Sequence, residues 1–307
     1  MSTTDRRSAA LSLKQLAYLL AIRDTLNFTR AADQCFVTQS SLSGGLAELE
    51  RTLDLKLVER SRQHVAMTPA GEAVCERAEQ ILSASEDLLA FARAQADPGK
   101  GILRLGMIPT VAPYLLQDFL RACGSRFPEL DLFLQERQTE ALLEQVSRGE
   151  LDAAVLALPM ETGALAVTAL FDDPLRLVAA PSHPVAARKA PLALSTLDAS
   201  QVILLEPGHC LRDHTLAACA VGSEASRRFE ASNIDTLVRL AEAGCGLALL
   251  PEMALAGGVL EGTDLARIEL RQPPRRGIAL VTRSSHPLRT FLETEIAALL
   301  AGRRGAA

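Results

Sequence analysis

The chain is 307 residues long with a mass of 32.8 kDa, more than the roughly 100–200 residues of one ordinary domain, so two or three domains are expected. Hydrophobic residues make up 48% and charged residues 22%, which excludes a disordered chain, a collagen-like repeat or a small disulfide-stapled scaffold. The net charge of −5, with aromatics at 4% and no Trp, excludes an overall polybasic surface, but residues 1–62 hold nine Lys and Arg against seven Asp and Glu and form a mildly basic head on an acidic body.

The start of the chain has no continuous apolar run, and no later segment approaches the ~18 apolar residues of a membrane span. A cytoplasmic protein with no membrane partner is therefore expected. Residues 11–60 carry three short helical patterns, LKQLAYLLAI, FTRAADQC and QSSLSGGLAELERTL, with apolar positions three and four apart. Ser61 to Met67 alternates as a small β-hairpin does. Thr68 then caps a new helix with Pro69 at its first position. That helix runs to about Gln95, and Val74, Ala78, Ile81, Ser85, Leu88 and Ala92 mark a heptad seam suited to pairing with a second helix, or to docking on the chain's own head.

From Gly101 onward strands and helices alternate: ILRLGMI, a helix from about Val111, DLFLQER, a helix from about Thr139, then DAAVLAL. A second round follows with LRLVAA, QVILLE, a helix after Gly208, RRFEAS, a helix from Ile234 and GLALLPEMA, before IALVTR and a C-terminal helix over Leu288 to Ala301. The alternation predicts two α/β lobes with largely parallel sheets, joined by crossovers near residues 170 and 275, with a ligand cleft between strand ends.

Phe28-Thr29-Arg30-Ala31-Ala32, then Val37-Thr38-Gln39-Ser40-Ser41-Leu42-Ser43 and Leu46, Leu49 and Glu50, describe two helices separated by a tight turn. Thr38 can cap the second helix, whose short polar side chains suit base edges and phosphates. With the hairpin behind it this is a winged helix-turn-helix. The whole layout resembles the LysR-type transcriptional regulators. The resemblance implies a mixed fold: a winged helix-turn-helix domain over 1–67, a linker and dimerisation helix over 68–97, and a two-lobed, periplasmic-binding-protein-like α/β regulatory domain over 98–307. Lobe I would take about 98–170 and 276–307, and lobe II about 171–275. DNA contacts are expected from Thr29, Arg30, Thr38, Gln39, Ser40, Ser41, Ser43, Arg60 and Arg62, with Arg51 near phosphates. Two departures from the family pattern are Ser40 and Ala47, where Pro and a basic residue are common, and Gly44-Gly45 costs about 1 kcal/mol per residue in helix propensity.

The six cysteines are Cys35, Cys75, Cys123, Cys210, Cys219 and Cys245. In a reducing compartment most should be buried, inert thiols. Cys210 differs because Glu206-Pro207-Gly208-His209-Cys210 places it at a helix start, where the backbone dipole lowers a thiol pKa and favours attack on peroxides. Cys219 lies nine residues on. In a helix the two would stand about 13.5 Å apart on opposite faces, too far for a disulfide, so bonding them requires the segment to unwind.

GHCLRD with a second cysteine nine residues on, Ile108 to Leu116, Gln138-Thr139, and Ala243-Gly244-Cys245-Gly246 resemble the peroxide-sensing LysR-type regulators. The resemblance implies that Cys210 is the peroxidatic and Cys219 the resolving cysteine, joined in the oxidised form, and that Thr110, Thr139 and His209 line a peroxide pocket. It implies promoter DNA, hydrogen peroxide, RNA polymerase and a thiol reductant as partners, in a homodimer or homotetramer acting as activator or repressor. No cofactor, metal or enzymatic activity is expected. His209, Cys210, His214 and Cys219 fit none of the common zinc spacings. Thr110 and Thr139 also suit helix caps, His209 a turn, and His214, where the resemblance leads one to expect Gln, a solvated position. Two other readings share these residues: a LysR-type regulator that senses a metabolite in the interlobe cleft, and a thiol peroxidase.

Overall fold

The computed structural model describes residues 11–302 apart from 61–63, 189 and 220–228. It divides into two compact units, 1–92 and 93–307.

In the first unit, α1 (Leu13–Thr25) begins at Ser12, which forms a reciprocal capping box with Gln15. The helix α2 (Phe28–Gln34) is capped by Asn27, whose side chain accepts from the backbone of Thr29 and Arg30. Thr38 caps α3 (Gln39–Leu53), accepting from Ser41 N at 3.2 Å, as the sequence predicts. The wing is an antiparallel hairpin of β1 (Val58–Arg60) and β2 (Val65–Met67), and Glu50 fastens it to α3 by accepting from the Leu57 and Val58 amides. Leu19, Ile22, Leu42, Leu46 and Leu49 are buried at the centre. Gly45 has a packing reason, since a Cβ there would come within 2.8 Å of the Tyr18 ring; at Gly44 nothing lies within 4 Å.

The helix α4 (Pro69–Ala96) starts at Thr68, whose hydroxyl accepts from Gly71 N at 2.9 Å. Its two halves behave differently. Cys75 and Ala78 are buried in the core of the first unit, whereas Ile81, Leu88, Leu89 and Phe91 are exposed. Burial pushes the Cys75 thiol up to about 11.

The second unit has two lobes with separate apolar cores. Lobe I is built on β3 (Gly101–Met107), which runs parallel to β4 (Leu130–Glu136) and β5 (Ala153–Leu158). Packed on this sheet are α5 (Ala112–Arg126) and α6 (Thr139–Arg148). β6 (Leu165–Ala179) pairs along its first part with β11 (Arg275–Arg283), and β11 also pairs with β5. From Leu175 on, β6 pairs instead with β9 (Ala248–Pro251) and β10 (Ala266–Ile268) of lobe II. A short parallel pair, β7 (Leu204–Leu205) and β8 (Glu230–Ala231), completes lobe II with α7 (Cys210–Cys219), α8 (Ile234–Glu242) and α9 (Glu252–Ala256).

Two expectations are corrected here. LRLVAA is no new strand after a crossover near 170: it is the second half of β6, one strand of 15 residues. The sheet is also mixed, because every pairing of β6 and β11 is antiparallel. Alternating hydrophobicity identifies strands but does not tell their direction. The C-terminal helix runs from Arg289 to Ala301 and includes a π-helical segment over Leu292–Ile296.

Candidate functional site

Cys210 is the first residue of α7. The turn before it needs glycine. Gly208 has φ +93°, and a Cβ there would come within 2.4 Å of Gln138 Oε1, so the bare backbone lets this lobe II turn close on lobe I. The narrow cleft that results is lined by Ile108, Pro109 and Thr110 after β3, by Gln138 and Thr139 at the start of α6, and by His209 and Cys210. The three residues that the resemblance assigns to the pocket, Thr110, Thr139 and His209, are thus brought together with Cys210, and all three are buried.

Neither threonine is a cap. α5 is preceded by Val111 and α6 by Gln138, and neither makes a side-chain cap bond. Thr110 instead accepts from Arg276 Nη1 at 2.8 Å through its hydroxyl, and its carbonyl accepts from Nη2 at 3.0 Å. With that acceptor site occupied, the Thr110 hydroxyl proton is left to point elsewhere. The Thr139 hydroxyl is buried without a hydrogen-bond partner inside normal limits, yet it and Thr110 lie close enough to the sulfur to favour its thiolate.

Arg276 is the residue that the sequence reading missed. It is 0% exposed, and its Nε and Nη2 donate to Asp173 Oδ2 at 3.0 and 2.9 Å. Asp173 is in turn held by Met253 N, which donates to Oδ1 at 3.0 Å. A buried charge is tolerated when paired and hydrogen-bonded on all sides, and this one places a fixed cation beneath the cleft. A signal was available. Arg276 and Asp173 are register partners on β11 and β6, and each lies two residues from a buried residue of its strand, Ile278 and Leu175, so period-two alternation turns both inward.

Burial pushes the Cys210 thiol above its ordinary value, while the Arg276 charge and the Thr139 and Thr110 hydroxyls pull it back, and Asp213 pushes it up again. This corrects the lowered thiol pKa expected from the helix start alone. Burial also depresses His209, against the raising effect of Glu206 and Glu136, so near pH 7 its imidazole is neutral and works as a hydrogen-bond donor or acceptor. His214 is not solvated. It is half-buried, its Nδ1 is enclosed without a partner, and desolvation and Arg276 both depress it.

Cys219 closes the same helix but is buried in the lobe II core, while Cys210 packs against the lobe I core. Both thiols are free. Burial also pushes Cys219 up. The helix between them is tied down by Arg212, which donates to Leu205 O at 2.7 Å and Glu230 at 2.8 Å. Of the other four, Cys75 and Cys123 are buried as expected, whereas Cys35 and Cys245 are only half-buried.

On the first unit, Thr29, Arg30, Thr38, Gln39, Ser40 and Ser41 are exposed around the start of α3. Arg60 stacks over the Phe28 ring at 3.7 Å and donates to Ser43 Oγ at 2.9 Å, which holds the guanidinium in place. Arg51 is paired with Glu48. Arg62 lies outside the described residues. Among those residues no helix is long and apolar enough to cross a membrane, and no group of three or more His, Cys, Asp or Glu residues is placed to hold a metal ion.

Comparison with known proteins matches residues 13–72 to the bacterial regulatory helix-turn-helix protein family, LysR type, and residues 96–303 to the LysR substrate binding domain. The HTH-type transcriptional regulator EstR of Acinetobacter baylyi is 43% identical over 287 residues, covering 92% of this chain and 94% of its own. The DNA-binding transcriptional dual regulator OxyR of Escherichia coli K12 is 36% identical over 284 residues, covering 92% and 93%. A full-length OxyR variant from Pseudomonas aeruginosa superposes with a TM-score of 0.74 at 29% identity, covering 94% of each chain. A Corynebacterium glutamicum OxyR mutant with H2O2 bound superposes with a TM-score of 0.63 at 33% identity, covering 94% and 91%. The chain belongs to the LysR family of transcriptional regulators.

Proposed function

We propose that this LysR-family protein is a cytoplasmic regulator that senses hydrogen peroxide at Cys210 and alters promoter binding in response. The observation that carries the reading is the thiol of Cys210 at a helix start, faced by two threonine hydroxyls over the buried Arg276 charge. The likeness to a structure described as H2O2-bound supports the same reading.

In this mechanism the Cys210 sulfur attacks one peroxide oxygen, the O–O bond breaks, and the leaving hydroxide takes the thiol proton to become water. Cys210 is left as a sulfenic acid. The Thr110 and Thr139 hydroxyls and neutral His209 orient the two oxygens, and Arg276 stabilises the negative charge that moves from sulfur to the leaving oxygen. The Cys219 sulfur then displaces the hydroxyl of the sulfenic acid, releasing a second water and forming the disulfide. Because the two cysteines sit in different cores, α7 must unwind first, and that makes it the bistable element. Two equivalents of a thiol reductant restore both cysteines. Operator DNA is held by the first units of a homodimer or homotetramer, for which the exposed apolar half of α4 supplies a pairing surface; RNA polymerase is the downstream partner.

Mass spectrometry after one equivalent of H2O2 tests the chemistry. A Cys210–Cys219 crosslink about 2 Da lighter than the dithiol is expected, and Cys210→Ser should abolish the peroxide response in promoter footprinting while DNA binding persists. A Cys210→Ser protein that responds normally would overturn the mechanism. The match of residues 96–303 to the LysR substrate binding domain favours a second reading, in which the same cleft takes a small metabolite and Cys210 is incidental; that protein would footprint identically with and without peroxide.

A further inference from the structure

The turn between α2 and α3 ends α2 by a Schellman arrangement: Val37 N donates to Ala32 O at 3.0 Å and Phe36 N to Asp33 O at 3.1 Å. Phe36 therefore occupies the left-handed position of that motif, with φ +54°. Gly fits there without penalty and Asn at a small one, whereas a bulky side chain is strained. Packing does not offset the strain, because Phe36 is 95% exposed, the most exposed large apolar side chain among the described residues. It stands two residues before Thr38, the cap of α3, next to the exposed polar side chains assigned above to the DNA-facing surface.

The start of α3 is poor in apolar surface. The Thr38 hydroxyl is engaged with Ser40 Oγ at 3.0 Å and Ser41 Oγ at 2.9 Å, and Gln39 accepts from Thr29 at 3.5 Å. A reader built only from such groups has hydrogen bonds to offer but little apolar surface for a methyl group beyond the small methyls of Thr29 and Thr38. In the major groove thymine alone presents one, the C5-methyl. We infer that Phe36 is a specificity-determining residue that lays its ring against a thymine methyl of the operator, so that the strained turn is held for recognition rather than for stability. This rests on the reading of the first unit as a DNA-binding unit.

The test uses the full-length protein and a duplex that it enriches from a randomised pool. Phe36→Asn should raise the melting temperature of the protein and weaken binding of that duplex about tenfold, and Phe36→Leu should bind more tightly than Phe36→Asn. Replacing thymines one at a time by deoxyuridine, which removes only the methyl, should weaken binding of the unsubstituted protein at one position per half-site and leave the Phe36→Asn protein indifferent there. Unchanged affinity of Phe36→Asn, or equal sensitivity of both proteins to deoxyuridine, would overturn the inference. If the unsubstituted protein enriches no duplex, the DNA-binding reading fails and the inference falls with it.

Discussion

The two units place their polar groups in opposite ways. Among the described residues of the first unit every buried side chain but the Tyr18 phenol is apolar, whereas the second buries Thr110, Thr139, Asp173, His209, Thr215, Arg276, Thr282 and His286. Five of these eight stand at or directly beneath the Cys210 cleft. An apolar core with capped helices gives a rigid body whose chemistry lies on its surface. A core that encloses paired charges and an unpartnered hydroxyl is more costly to fold but can respond to a small polar molecule.

The sharpest way to break this contrast is Arg276→Met. Leaving Asp173 buried and unpaired should destabilise the second unit by about 3–5 kcal/mol in denaturant unfolding and should also slow Cys210 oxidation. Adding Asp173→Leu should return most of the stability but none of the reactivity, which separates the structural role of the pair from its electrostatic one.

A smaller effect concerns the pH profile of Cys210. Because burial holds the thiol above its ordinary value, alkylation followed by mass spectrometry should accelerate well past the pH at which an exposed cysteine levels off. Thr139→Val removes a group that favours the thiolate, so it should move the profile to still higher pH. A shift to lower pH would contradict the assigned role.

Smaller again is the acid response of the second unit. His209 and His214 are both depressed in the folded protein, so below the ordinary histidine value of about 6.5 the unfolded chain binds more protons. Stability should therefore be fully present above that pH and fall as the pH drops toward the folded values. A His209→Gln protein should show a shallower fall.

The smallest test touches the first unit alone. Gly44→Ala should stabilise it by about 1 kcal/mol, since nothing opposes the added methyl. Gly45→Ala should destabilise it, because the Tyr18 ring is in the way.

What was legible in the sequence was local. The caps at Thr38 and Thr68 and the helix start at Cys210 follow from residues within one turn of each other, and the pocket threonines were named through resemblance. What was illegible depended on residues distant in sequence. Arg276 and Asp173 meet from 103 positions apart, and a charged pair breaks the apolar pattern by which strands are recognised. The depressed His214 and the raised Cys210 thiol were misjudged for the same reason, since both shifts come from burial by other elements.

The long strand β6 belongs to both lobes, its first part laddered to β11 and its last five residues to β9 and β10. Asp173 sits just ahead of the changeover at Leu175, and with it the buried ion pair. The lobes are therefore not beads on a string: a shared plank runs through them, and its midpoint is bolted beneath the Cys210 cleft. In the proposed switch, α7 leaving the cleft would free that bolt, and the plank would turn a chemical event a few ångströms across into a change of angle between the two halves.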